Sequence, residues 1–231
     1  MADVCFLTDQ STVRGAPAQR WPSAPAASEL WDELFSGRWK VAAQLSTETH
    51  CYLNLVAVSP ASNALAVSPT HQRLFERVVL GESQKLVALE TDRSRAGVSS
   101  MLHECLRTLG LSCKFRRLPL PLALIAHARA SSGPAASFSI SPETNSLVVT
   151  VQRPDQALQR WLSASEYSVA RLVMEGKSHA EIAAVRGTSQ RTVANQLQSV
   201  FSKLKVSGRL ELIRFALSEP PTTARSARVT S

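Results

Sequence analysis

The sequence contains no apolar run long enough to cross a bilayer, and its first residues, MADVCFLTDQ, lack the basic-then-apolar order of a secretory signal. A cytoplasmic chain without a membrane partner is the expectation. Cysteine is scarce: Cys5, Cys51, Cys105 and Cys113 form no Cys-x-x-Cys pair, which favours reduced thiols over disulfides or zinc. Gly-rich phosphate loops, paired carboxylates and nucleophile elbows are missing. His50, His71, His103, His127 and His179 are scattered and assemble no catalytic constellation. No enzymatic activity, cofactor or metal is therefore expected. Acid is in deficit, with 18 Asp and Glu against 26 Lys and Arg, and the resulting charge of +8 favours a polyanionic partner.

A hydrophobic fraction of 44% over 231 residues provides for one or two small cores. Residues 1–28, rich in Pro, Ala and Ser, read as a flexible tail, and residues 219–231 as a frayed basic one. SELWDELFSG suggests a short helix capped by Ser28. WKVAAQL and CYLNLVAV alternate as two strands of a hairpin around STETH. SPTHQRLFERVVLGESQKLVALE reads as two helices meeting near Gly81, and RSRAGVSSMLHECLRTLGL as a third. RLPLPLALIAHA is ambiguous, because two prolines interrupt its apolar run. ASFSI and SLVVTV form a second hairpin around SPETN, and DQALQRW is helical or looped. The stretch after it divides into four helices. Ser163 with Glu166, and Ser178 with Glu181, are capping boxes that place two of the starts, and Gly176 suits the stop between them.

Hairpin, helices, hairpin, helices is an order that suggests a repeat. A shift of 95 residues aligns Gly81 with Gly176 without a gap. The same shift lays Ser68, Ser83 and Ser94 on Ser163, Ser178 and Ser189, and Leu102 on Leu197. Two copies of one unit, about 37–124 and 132–219, are expected. The fold class is α+β: a tandem repeat of β-hairpin plus helix-turn-helix bundle. The corresponding partition is a tail over 1–28, a degenerate hairpin and helix-turn-helix-like unit over 29–130, a hairpin and connector over 131–161, a four-helix domain over 162–218 and a tail over 219–231.

The stretch GTSQRTVANQLQSVFSKLKV carries the chemistry. Ser189 is an N-cap, and Val193, Leu197, Phe201 and Leu204 make one apolar stripe. Gln190, Arg191, Asn195, Gln198 and Lys203 lie off that stripe, with no acid among them. Leu162-Ser163 and Glu166, then Gly176, Ser178, Glu181, Ile182 and Ala183, then Ser189, Thr192, Val193, Lys203, Leu204, Val206 and Arg209 together resemble the LuxR-type helix-turn-helix of NarL- and FixJ-like regulators. The resemblance covers about a quarter of the chain and implies double-stranded DNA as partner. It implies a transcriptional regulator whose recognition helix, Ser189 to Lys203, enters the major groove. RNA polymerase is a further partner for such a regulator.

The helix N-termini at Ser178 and Ser189 suit phosphates, and the amides of Asn195 and Gln198 suit adenine edges. Arg191, Thr192 and Lys203 suit phosphates, which position rather than specify. The expected DNA-binding set is Ser178, Ser189, Gln190, Arg191, Thr192, Ala194, Asn195, Gln198 and Lys203.

Several positions depart from the family pattern. Its usual Lys and His after Thr-Val are Ala194 and Gln196, its usual Arg before Glu166 is Ser165, and two usually apolar positions are Arg186 and Thr188. A snorkelling Arg186 stem is expected to supply substitute packing. In the upstream copy the counterpart segment is SRAGVSSMLHECLRT, where Gly97 costs roughly 1 kcal/mol in a helix interior and Glu104 repels phosphate. Arg93, Arg95, Arg107, Lys114, Arg116 and Arg117 keep the region basic. Helix-turn-helix proteins reach two half-sites about one turn apart, so a homodimer or an intramolecular pseudo-dimer is expected. Neither a receiver domain nor a lactone-sensing domain is legible before residue 130. The rival reading is an interaction protein that keeps the fold without specific DNA binding.

Overall fold

The computed structural model describes residues 27–58, 66–131, 136–141 and 146–218; most of the two expected tails lies outside these ranges. Two compact units divide between Gln152 and Arg153.

The first unit opens with helix α1 (Ala27–Phe35), in which Ser28 is a first-turn residue rather than the expected cap. A hairpin of β1 (Trp39–Ser46) and β2 (His50–Ala57) follows, then α2 (Pro69–Val79), α3 (Gln84–Glu90) and α4 (Arg95–Thr108). Serine side chains cap all three of these helices: Ser68, Ser83 and Ser94 accept from the backbone N–H three residues on. The ambiguous RLPLPLALIAHA segment is a helix, α5 (Leu120–Ser131), buried along most of its length. Its Pro121 occupies the first turn, where no intrahelical donor is lost. A second hairpin, β3 (Ala136–Ser141) with β4 (Ser146–Gln152), completes the unit.

The two hairpins form one antiparallel sheet in the order β1-β2-β4-β3, because β2 pairs with β4, with Leu53 opposite Val149 and Asn54 opposite Val148. Neither hairpin has enough strands to be stable alone. Period-two alternation sends Cys51, Leu53, Leu55, Leu147, Val149 and Val151 to the buried side, and α5 packs against β2 and β4. Trp31 and Phe35 of α1 meet Phe75 of α2, which in turn stands edge-on to Phe115 with centroids 5.4 Å apart. Arg129 of α5 bonds Glu76 of α2. Cys51, Cys105 and Cys113 are free thiols, and burial pushes the Cys105 thiol up to about 12, far from reactivity at neutral pH.

The second unit begins with a 3-10 turn (Asp155–Arg160) and then runs α6 (Ala164–Met174), α7 (His179–Arg186), α8 (Gln190–Leu204) and α9 (Arg209–Ser218). Val169, Met174, Ile182, Val193, Leu197, Val200, Leu212 and Ile213 make the core. Both expected capping boxes form at Ser163 and Ser178. Arg209 crosses to the end of α6, donating to the carbonyls of Val173 and Met174 at 2.7–3.1 Å, where a cation complements the helix C-terminus.

An ionic network ties the entry turn to α6. Arg153 and Asp155 have fully buried side chains; Arg153 donates to Asp155 at 2.7 and 3.3 Å and to Glu175 at 2.7 Å, while Tyr167 donates to Asp155 at 3.2 Å. Desolvation, and then the neighbouring Asp155 charge, push the Tyr167 hydroxyl above its ordinary pKa. Removing one member would leave the other buried and uncompensated. Asp155→Ala is expected to cost about 3–5 kcal/mol in denaturant unfolding, against a near-neutral Lys85→Ala on the exposed side of α3.

Candidate nucleic-acid interface

Three residues, Gly187, Thr188 and Ser189, turn the chain from α7 into α8. Gly187 takes φ +61 and ψ +37, the left-handed geometry at which its N–H bonds back to the end of α7. Only glycine adopts that region without strain. Thr188 N–H donates to the Ala183 carbonyl at 2.9 Å, so the turn is closed on α7 before α8 begins. Ser189 then caps α8, accepting from Thr192 N–H at 3.0 Å, with the two hydroxyls 2.9 Å apart.

α8 divides into faces. Val193, Leu197, Val200 and Leu204 are buried. On the opposite side Arg191, Asn195 and Gln198 are exposed and make no side-chain hydrogen bond or ion pair among the described residues. The helix QRTVANQLQSVFSKL carries no acidic residue. Three unengaged polar side chains on a convex, acid-free helix face are equipped to donate to and accept from an external partner. Ala194 is half-buried on one flank and shares an open groove with His179, Lys205 and Glu211.

The other flank faces α6 and is held by Glu166. This carboxylate accepts from Ser163 N–H at 3.0 Å and the Ser163 hydroxyl at 2.9 Å in the cap of α6, from Ser199 at 2.7 Å, and from Lys203. The Lys203 ammonium lies 2.7 Å from the Glu166 carboxylate, so the residue expected at a phosphate is committed in large part to fastening α8 to α6. The hydrogen bonds from Lys203, Ser199 and Ser163 hold the Glu166 carboxyl down at about 2.

Of the other expected site residues, Ser178 and Ser189 stand at the starts of α7 and α8, with both hydroxyls engaged in caps. Gln190 and Thr192 are exposed on the first turn of α8. Arg186 does not merely lay its stem along the domain: its guanidinium donates to Gln196 at 2.7 Å and Ser165 at 2.8 Å, and Gln196 donates to the same Ser165 hydroxyl at 2.8 Å. Three departures from the family pattern are thus mutual partners. Their odd identities were visible in the sequence, but their contact depends on the folded bundle, since they come from α6, α7 and α8.

Residues 160–216 match the family model described as bacterial regulatory proteins, luxR family. The C-terminal helices are a LuxR-type helix-turn-helix domain. No curated protein and no solved structure matches the chain. Ahead of this LuxR-type domain in sequence, the chain combines helices with a small antiparallel sheet, and no described helix is long and apolar enough to cross a membrane.

Glu166 generates a pH prediction. Its folded pKa lies below the ordinary 4.5, so its stabilisation is complete above that value and fades as pH falls toward about 2. A shift of that size converts to roughly 3 kcal/mol, and solvent screening at the half-exposed Lys203 reduces it from there. Glu166→Gln should lower stability at pH 7 and flatten the pH dependence of unfolding between pH 5 and 2, measured by urea titration at each pH.

Proposed function

We propose that the protein is a sequence-specific DNA-binding transcriptional regulator acting in the cytoplasm, with α8 lying in the major groove. The observation that carries this reading is the face of Arg191, Asn195 and Gln198, exposed, unengaged and without an acid anywhere on its helix. An α-helix fits the major groove, where paired amide contacts distinguish adenine from the other bases. Asn195 and Gln198 read bases. Arg191, Gln190 and Thr192 hold backbone phosphates, joined by the first-turn N–H groups of the helices that start after Ser178 and Ser189. Ala194 leaves room at the groove wall without adding charge. Lys203 contributes the smaller share to phosphate binding, because Glu166 already balances it. Transcription is affected through RNA polymerase, and the two half-sites of an operator are reached by a homodimer or by an intramolecular pair.

The upstream helices α2, α3 and α4 are, in this reading, a degenerate copy of α6, α7 and α8, so that a hairpin-plus-helices unit over 29–130 precedes the hairpin and connector of 131–161 and the domain of 162–218. Support comes from local geometry repeated at one offset of 95 residues. The starts of α2, α3 and α4 correspond to those of α6, α7 and α8. Their cap serines correspond one to one, each accepting from the third residue on. Positive φ recurs at Gly81 and Gly176, at Asp92 and Gly187, and at Gly110 and Lys205. A left-handed residue other than glycine costs roughly 1–2 kcal/mol, so Asp92 and Lys205 keep a turn that the other copy makes with glycine. The copy is degenerate where α8 is polar: Ser100 and His103 stand for Asn195 and Gln198, Glu104 is exposed, and Leu86 and Leu89 lie exposed on α3.

An interaction protein that keeps the fold is the second reading, favoured by the absence of a cation at Ala194. Salt separates the two. Fluorescence anisotropy on a random duplex should show affinity falling steeply between 50 and 200 mM salt, the signature of counterion release. Binding that is absent at 50 mM would remove the regulator reading. Replacing Asn195 and Gln198 together by Ala is expected to abolish preference among duplex sequences while most salt-dependent affinity remains; equal loss on every sequence would assign both amides to the backbone instead.

A further inference from the structure

We infer that Arg186 is a phosphate-contacting residue, pre-oriented by Gln196 and Ser165, on the α6 side of the recognition helix. The inference rests on the DNA-binding reading of α8 and adds a contact to it. Gln196 accepts from Nη1 of Arg186 at 2.7 Å, and the Ser165 hydroxyl accepts both from Nη2 of Arg186 and from Gln196, each at 2.8 Å. Both partners of the guanidinium are neutral. Among the described residues no carboxylate pairs with Arg186. Glu166, next to Ser165 in the chain, is already engaged by Ser163, Ser199 and Lys203.

A guanidinium has five N–H donors in one plane. Two bonds to neutral oxygens fix that plane and leave the charge uncancelled, with further donors unused. Holding an arginine in place by neutral acceptors also lowers the rotamer entropy lost when an anion arrives.

The position suits a phosphate strand. Arg186 ends α7, immediately before the Gly187 turn, and Gln196 follows Asn195 on α8, between its outward face and α6. A helix in the major groove has one sugar-phosphate strand along each of its flanks. On the opposite flank Ala194 itself offers no charge and Lys205 shares its groove with Glu211, while on this flank Lys203 is balanced by Glu166. Arg186 is the cation on this flank whose charge is left for the strand.

The test compares wild type with Arg186→Gln and Arg186→Lys on random-sequence duplex over a salt series, with thermal melting as the folding control. The slope of log K against log salt should shrink by about 0.9 in Arg186→Gln, the loss of one phosphate contact, and be retained in Arg186→Lys. Gln196→Met, which removes the orienting acceptor but not the charge, should weaken binding with the slope largely kept. An unchanged slope in a folded Arg186→Gln protein overturns the inference while leaving the DNA reading intact. Should that variant unfold, wild type decides: Arg186 is expected to be protected from phenylglyoxal by duplex, and equal labelling with and without duplex overturns the contact. A wild-type protein that binds no duplex at low salt overturns both the contact and the reading beneath it.

Discussion

The carboxylate of Glu166 is the constraint on which the placement of α8 depends. It closes the cap of α6 through Ser163 and, from the same group, takes Ser199 and Lys203 of α8. One ion therefore sets where α6 begins and how α8 is rotated about its own axis. With Val193, Leu197, Val200 and Leu204 packed inward, that rotation is what presents Arg191, Asn195 and Gln198 outward. A slip of α8 by one residue would turn its outward set by about 100°. The apolar stripe resists such a slip through packing, and the Glu166 bonds resist it through direction, since charge-assisted hydrogen bonds are the more geometrically demanding contact.

The polar triangle of Ser165, Arg186 and Gln196 extends the same α6 edge toward the turn. Ser165 is exposed and Arg186 and Gln196 are half-buried, so the triangle lies at the rim of the bundle rather than in its core. Here three changes that would each be awkward alone satisfy one another: two donors converge on one serine hydroxyl, and one guanidinium bridges helices α6 and α8. The module thus has two cations on that edge in different settings, Lys203 balanced by a carboxylate and Arg186 oriented by neutral oxygens that leave its charge uncancelled. Farther from the interface, the buried Arg153–Asp155 pair and the Arg209 contacts to the end of α6 fasten the base of the domain. Those groups face inward and hold α6, and with it the whole edge.

Local signals were legible wherever a short stretch sets its own geometry. Cap serines, capping boxes and the Gly176 stop act within three or four residues, so these helix starts and stops followed from composition and spacing. Alternation gave both hairpins. The helix Leu120–Ser131 was less legible, because its apolar residues occur on every side and no amphipathic period marks it; burial against α1, α2 and the sheet is what makes such a helix stable. Ser28 shows the reverse error, a good capping residue overrun by a helix that begins one residue earlier to bury Leu30, Trp31 and Leu34.

By itself the sequence determined the parts of α8: an N-cap, an apolar stripe and an acid-free polar face, each encoded by residues at most one turn apart. It could not determine which polar residues would be left for a partner, because that depends on groups distant in the chain. Lys203 looks free until Glu166, 37 residues away, is folded against it, and Arg186 looks misplaced until Ser165 and Gln196 receive it. The order β1-β2-β4-β3 is of the same kind. Either hairpin could have paired by other edges, and only the shared apolar face beneath α5 selects β2 against β4. Periodicity is a property of a segment, whereas charge compensation and strand pairing are properties of the assembled chain.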